Sequence, residues 1–249
     1  MKHNLNLFDI EQEAIEYIQE NAPKGEPYFV GFSGGKDSIV VYDLVKRSGV
    51  RYQSYYNFTT IDPPELTRFI KKEYPEVKWL MPEMNFWDLC RKKNRMPTRK
   101  ARFCCDVLKH NGKGLREIGL HHHVLGLRAE ESAKRRERPR TEQKNGTKRN
   151  PVWMYKPIFG WASDEIWNYI HDRGLKYPAL YDEGFHRLGC VVCPFVARER
   201  SLGVHKKRWP NHYKILDRLL AETWEKNRAA LLDLGFSEER YKAWPQWDK

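Results

Sequence analysis

Six residues between two apolar runs, Ser33-Gly34-Gly35-Lys36-Asp37-Ser38, concentrate groups that hold an anion. The run before them, YFVGF from Tyr28, has the composition of a short buried strand. The run after them, IVVYDLVKRSG, has helical apolar spacing at Ile39, Val40, Leu44 and Val45, with Gly49 placed to end the helix. A strand-to-helix turn of this kind aims successive backbone N–H groups, two hydroxyls and an ammonium at one point, where the helix dipole adds positive potential. Glycines let a phosphate approach backbone that a Cβ would screen. The spacing is neither the Walker A pattern, whose first glycine stands further from its Gly-Lys, nor GxGxxG. A plain turn with a capping Ser or Asp would explain a lone glycine pair, but the whole hexapeptide in this context favours an anion cradle.

Four of the five cysteines form two pairs, Cys104-Cys105 in RFCCDVLK and Cys190/Cys193 in LGCVVCP. Cys90, in FWDLCRKK, reads as a buried helix residue. Zinc is one tenant for the pairs, yet adjacent cysteines reach one small tetrahedral ion awkwardly. An iron–sulfur cluster offers separate irons to neighbouring thiolates, so ligand geometry favours it over zinc. A vicinal disulfide would be strained, and a redox disulfide at CxxC stays open.

The 249-residue chain can bury a substantial core, and nine Trp, thirteen Tyr and eleven Phe supply bulky material for it. A mean hydropathy of −0.80 and 31% charged residues give a polar surface. No run is long enough for a membrane span, and MKHNLNLFDIEQE carries acids where a secretory leader has its apolar stretch, so the expectation is a cytoplasmic protein without membrane contact. The formal charge is +12, with dense basic stretches at 91–116 and 128–149, which favours anionic partners without separating nucleotide from nucleic acid.

These residues have to be positioned by an alternating framework. A helical pattern at Ile10, Ala14, Ile15 and Ile18 precedes the first strand. Then VRYQSYYNF reads as strand, PPELTRFIKKEYP as helix, VKWLM as strand, NFWDLCRKK as helix and HHHVLGL as strand. This alternation predicts a doubly wound, mostly parallel α/β sheet, which binds ligands at the carboxyl ends of its strands. Residues 134–150 read as an exposed loop, followed by VWMYKPI, a helix at SDEIWNYIHDRG, the second cysteine pair and a helical tail from about Val204.

Arg128 follows the HHHVLGL run, so it falls at a carboxyl end, where its guanidinium can fork onto phosphate or sulfate. Arg135, Arg136, Arg138 and Arg140 extend that field, with one or two expected to touch a ligand. Glu131 either orients an arginine or opens a helix. His121, His122 and His123 alternate faces on a strand, so at most two share a side. Trp209, Trp224, Trp244 and Trp247 read as packing residues.

SGGKDS resembles the PP-loop of the ATP pyrophosphatase superfamily, which implies an adenine nucleotide and Mg2+, with Ser33, Gly34, Gly35, Asp37 and Ser38 lining the site and Lys36 nearby. A tandem CC followed about eighty residues later by CxxC is similar to the four-cysteine motif of the APS/PAPS reductases. That implies a 4Fe-4S cluster on Cys104, Cys105, Cys190 and Cys193. GLRAEESAKR, 126–135, resembles the same family's substrate loop and implies ligand contacts from Arg128, Glu131, Ser132 and Arg135. The segment from KPIFGW to the second cysteine pair, with its Tyr-Asp-x-Gly turn, agrees. The implied fold is adenine nucleotide alpha-hydrolase-like, with residues 1–195 as the nucleotide-binding domain carrying the cysteines and 196–249 as a helical extension.

Two departures shape the functional expectation. No cysteine follows Cys193, where such reductases carry a nucleophile, and SGGKDS is intact where they generally alter it. The sequence therefore favours ATP-dependent, pyrophosphate-releasing sulfur transfer to an acceptor such as nucleic acid, served by a sulfur-donor protein. The alternative is reduction of a sulfonucleotide (APS or PAPS) to sulfite with a thioredoxin-like partner, and a third reading is a non-catalytic nucleic-acid-binding module. A homo-oligomer is compatible with each.

Overall fold

The apolar positions Ile10, Ala14, Ile15 and Ile18 form the buried stripe of helix α1 (Leu7–Glu20) in a computed structural model that describes residues 7–110, 117–147, 150–196 and 199–245. Strand β1 (Tyr28–Gly31) leads through the glycine turn into α2 (Lys36–Ser48), which Gly49 closes in the left-handed conformation. Next come β2 (Tyr52–Asn57), α3 (Pro64–Glu73), β3 (Lys78–Leu80) and α4 (Phe86–Lys93). After β4 (His122–Leu125), strands β5 (Thr141–Thr147) and β6 (Asn150–Tyr155) form a hairpin, and the helices Ser163–Asp172, Glu199–Arg208, Pro210–Asp233 and Glu238–Lys242 follow. None of the described helices is long and apolar enough to cross a membrane.

The six strands are ordered β3-β2-β1-β4-β6-β5. All pairings are parallel except β5 with β6. The chain winds outward from β1 to β2 and β3, then returns to place β4 on the other side of β1, so the strand order reverses between β1 and β4. At such a switch point the connections leave in opposite directions and open a crevice at the carboxyl ends. Ile39, Val40, Val41, Leu44 and Val45 of α2 have no exposed surface, which makes α2 a rigid base for the turn that precedes it.

The expected loop at 134–150 is instead structured: a short helix covers Ala133–Arg136, and β5 pairs antiparallel with β6 from Thr141↔Tyr155 to Lys144↔Val152. Its polar composition concealed it, because an edge strand needs only one hydrogen-bonding neighbour and tolerates polar side chains. Residues 148–149 of that stretch lie outside the described residues. Behind the hairpin, Lys156 is almost fully buried and satisfied by the Pro139 carbonyl at 2.7 Å and the Glu142 carboxylate at 2.9 Å.

The chain packs as two compact units. One comprises residues up to Asn57, Glu65–Leu80 and Ile118–Leu188 and holds the sheet. The other comprises Phe58–Pro64, Met81–Glu117 and the chain from Gly189 onward. In the second unit Trp209, Trp224 and Trp244 are buried, as expected of packing residues, and the Trp244 indole donates to the Pro97 carbonyl at 2.8 Å. Trp247 lies outside the described residues. Cys90 is fully buried on α4, and burial pushes its thiol up to about 12, as suits an inert packing residue.

In the first unit Glu11 of α1 is buried and bridges Arg47 of α2 to Arg173, which donates from Nε at 3.2 Å. Burial opposes its ionisation, but the hydrogen bonds from Arg173 and Arg47 prevail and hold the carboxyl below its ordinary value. A depressed carboxylate stabilises the fold above its unfolded pKa, and that stability is lost as pH falls through the folded value. Glu11→Gln should therefore cost about 2 kcal/mol at neutral pH, less than a fully buried pair because both arginines are partly exposed. Urea denaturation of both proteins near pH ~7 and pH ~3 checks this; a difference that did not shrink in acid would refute the assignment.

Candidate nucleotide site and thiol pocket

The turn after β1 is held by its own side chains. Ser33 N donates to Ser38 Oγ at 3.1 Å, and Ser38 Oγ donates to the Gly35 carbonyl at 2.8 Å, so the two serines clasp the loop. Gly34 has φ +71°, and a Cβ there would stand 2.8 Å from the Cδ1 atoms of Leu66 and Ile70. After β4, a Cβ at Gly126 would stand 2.9 Å from the carbonyl carbon and oxygen of Asp37, so the β4 loop rests directly on the turn. Gly35 caps α2, and the first helical N–H, from Lys36, donates to Tyr181 Oη at 3.0 Å.

Charge is then drawn together by Asp37. The buried Lys36 ammonium lies 3.2 Å from both its carboxylate oxygens, and Arg128 Nε lies 2.5 Å from Oδ1. Burial pushes the Lys36 ammonium down from its ordinary value, and the Asp37 charge opposes that. Arg128 is 5% exposed; its Nη1 donates both to the Glu130 carboxylate and to the Trp161 carbonyl, the latter at 3.2 Å. Glu131 accepts from the Arg128 backbone N–H at 3.1 Å and pairs with Arg135, so it both opens a helical turn and orients an arginine. Burial pushes Arg135 down, with Arg187 and Arg138 adding repulsion. The structure thus joins Ser33 to Ser38, Arg128, Glu131 and Arg135 in one network at the ends of β1 and β4. Ser132 is exposed and accepts from the Arg135 backbone N–H at 3.3 Å as a helix cap.

Tyr181 and Glu130 belong to this network, and no role was read for either from the sequence. Tyr181 stood in the noted Tyr-Asp-x-Gly turn, but nothing local says that a residue so far along the chain reaches the glycine turn. The three histidines separate as alternation requires: His121 bonds Glu26, His122 bonds the Tyr155 hydroxyl at 2.9 Å, and His123 stacks on Phe29.

The second unit holds the cysteines. A short helical turn, Phe103–Cys105, runs into a wider turn, Asp106–His110, and Val191 N donates to the Ile61 carbonyl at 2.8 Å to seat the second pair. Cys104, Cys105, Cys190 and Cys193 line one mostly apolar pocket together with Phe86 and Lys109. Cys104 and Cys105 hydrogen-bond each other, which pushes Cys104 up and Cys105 down; Lys109 and Arg102 further favour the Cys105 thiolate. Cys190 Sγ is 3.5 Å from Thr59 Oγ1, and burial pushes its thiol up to about 11. Lys109, another residue missed in the sequence, is held charged by Cys190 first, and also by Asp62, Cys105 and Cys193. Among the described residues, no three Cys, His, Asp or Glu side chains meet in a metal-ligating cluster.

Gly34→Ala should lower stability by about 1–3 kcal/mol, combining left-handed strain with the methyl's intrusion on Leu66 and Ile70. Gly25, with nothing within 4 Å of its Cβ position, is the control, and Gly25→Ala should leave the denaturation midpoint unchanged. Equal effects of the two substitutions would contradict the packing at the turn.

Residues 27–196 match the phosphoadenosine phosphosulfate reductase domain. An uncharacterised protein of Methanocaldococcus jannaschii is 30% identical over 218 residues, covering 84% of this chain and 52% of that protein. A second from the same organism is 28% identical, with 87% and 46% covered, so the chain spans about half the length of these relatives. An adenosine 5′-phosphosulfate reductase of Geobacillus kaustophilus is 26% identical, covering 76% of this chain and 82% of that protein. In fold, the chain resembles a phosphoadenylyl-sulfate reductase from Candida auris, solved as a phosphate complex, with TM-score 0.57 at 14% identity over 76% of this chain and 98% of that one. It also resembles an NH3-dependent NAD synthetase from Campylobacter jejuni, with TM-score 0.50 at 13% identity over 90% and 95%. The sheet is the adenine nucleotide alpha-hydrolase-like arrangement that the sequence led one to expect, and with a domain match across more than half its length the chain belongs to the phosphoadenosine phosphosulfate reductase domain family.

Proposed function

We propose that the protein is an enzyme that binds an adenosine phosphosulfate at the β1 and β4 ends and reduces it to sulfite. The observation that carries this reading is the network at the strand switch point, where the glycine turn, Lys36 and Arg128 meet at the Asp37 carboxylate. A phosphosulfate is an anhydride whose cleavage leaves negative charge on the nucleotide α-phosphate, and N–H donors with two cations beside it stabilise that charge. In the overall reaction the S–O bond breaks, the nucleotide leaves with the bridging oxygen on its 5′-phosphate (AMP, or adenosine 3′,5′-bisphosphate where the substrate carries a 3′-phosphate), and sulfite forms. The two electrons come from an external dithiol protein of thioredoxin type. The adenosine 5′-phosphosulfate reductases among the relatives support this choice.

An iron–sulfur cluster fits the thiol pocket: four soft donors surround an apolar space, and adjacent sulfurs suit separate irons. Cys104, Cys105, Cys190 and Cys193 would hold it, and when bound it would supply a redox-active or charge-ordering centre. Lys109 offsets part of the thiolate charge in a setting where burial disfavours it. Mg2+ fits less well on the chain alone, because the turn's carboxylate, Asp37, is engaged by Lys36 and Arg128. We assign no step to that ion.

The second reading, ATP-dependent sulfur transfer to an acceptor such as nucleic acid, is favoured by the intact hexapeptide with its serine clasp. The two separate by product. Anaerobically purified protein given thioredoxin should release sulfite, together with AMP from adenosine 5′-phosphosulfate or adenosine 3′,5′-bisphosphate from its 3′-phosphate. Given ATP, with or without nucleic acid, it should release no pyrophosphate. Pyrophosphate without sulfite would establish the second reading instead. In the sulfite assay Arg128→Met should reduce kcat/KM by about a hundredfold, since a charge-assisted contact to the reacting anion is lost and Asp37 is left without its guanidinium.

The cluster is tested separately by iron and acid-labile sulfide content. The wild-type protein should hold both and show a broad visible charge-transfer band, and Cys105→Ser should lose them. A colourless protein with stoichiometric zinc would overturn the assignment.

A further inference from the structure

The Tyr181 hydroxyl occupies the place that the glycine turn offers to an anion. Oη accepts from the Lys36 N–H at 3.0 Å, at the first residue of α2. A Cβ at Gly35 would stand 3.3 Å from the same oxygen, so the hollow left by the missing side chain is filled by a phenol oxygen. Its ring is supported rather than loose. Tyr181 ends the short turn Ala179–Tyr181, the Trp167 ring meets it edge-on at 5.1 Å, and the Tyr177 ring lies 6.5 Å away. Burial pushes the phenol up to about 12, so near neutrality it is an uncharged acceptor where a phosphate oxygen would bring full charge.

We propose that Tyr181 is a specificity-determining residue of this site: its hydroxyl takes the Lys36 N–H, so the turn accepts adenine nucleotides with one anionic group beyond the α-phosphate and disfavours a triphosphate. This rests on the nucleotide-binding reading above. A group in the second position, sulfate or β-phosphate, has Lys36, Arg128 and the rest of the turn to meet it. A γ-phosphate reaching for the turn has to displace the hydroxyl from its hydrogen bond and from its seat against Gly35. The discrimination is one of length and owes nothing to the identity of the base. It also accounts for an intact SGGKDS in a chain whose family is named for phosphosulfate substrates, because the hexapeptide is complete and one of its donors is already taken.

The test is calorimetric titration of the anaerobic protein with ADP, adenosine 5′-phosphosulfate and ATP, in wild type and Tyr181→Phe. Phenylalanine keeps the ring against Trp167 and removes only the oxygen, and a melting curve checks that the variant is folded. In wild type the two shorter nucleotides should bind more tightly than ATP. In Tyr181→Phe the ATP Kd should fall about three- to tenfold, the worth of one competing hydrogen bond, while the other two change by less than about twofold. An unchanged ratio of ATP to ADP affinity would overturn the proposal, even with a lowered melting temperature, since the hydroxyl would then be only a helix cap. Wild-type protein that binds none of the three would overturn the nucleotide reading itself, an outcome distinct from binding without discrimination.

Discussion

The ion bridge at Asp37 is the constraint on which the nucleotide site depends. One carboxylate at the start of α2 holds a lysine from its own turn and an arginine from the loop after β4, and both cations are nearly buried. Neither cation would be stable there alone, because desolvating an unpaired charge costs several kcal/mol. The carboxylate therefore ties the two loops that flank the strand reversal, and Gly126 lets them close to contact distance. Arg128 in turn sets Glu131 through its backbone N–H, and Glu131 sets Arg135. In the proposed function, an incoming anion would meet cations that are already arranged and already neutralised, and would bind by exchanging partners within that network.

The thiol pocket solves a related problem with softer groups. Burial in the apolar pocket pushes the Cys190 thiol upward. Lys109 brings one positive charge among the four cysteines, and the hydrogen bond between Cys104 and Cys105 pushes the first thiol up and the second down. In both units buried polar groups are made tenable by a partner of opposite charge, while the hydrophobic packing around α2 and around Trp224 supplies rigidity.

Much of this was legible beforehand, for local reasons. Strands and helices with strong periodicity, such as α1 and α2, declare themselves because burial repeats with the element's own period. The glycine turn and the cysteine pairs are local too, since each packs its chemistry into a few consecutive residues. The edge strand β5 was not legible, because one hydrogen-bonding neighbour suffices to hold it and its side chains need no apolar pattern. Tyr181 and Lys109 were not legible either: each owes its role to a contact with groups distant in the chain, or to the shape of a pocket, and neither leaves a periodic trace.

The sequence by itself determined the α/β alternation, the glycine turn at Ser33 to Ser38 between the first strand and its helix, the strand-end placement of Arg128 and the kinship carried by its motifs. Those properties follow from residue types at short spacing, where local geometry leaves few alternatives. Tertiary structure alone decided that Asp37 pairs with Arg128, that four cysteines from two segments share one pocket around Lys109, and that a tyrosine hydroxyl fills the hollow at Gly35. The physical reason is that each of these is a contact between segments far apart in the chain. Such contacts are fixed by the strand order and by the close approach of loops, which no short stretch of sequence encodes.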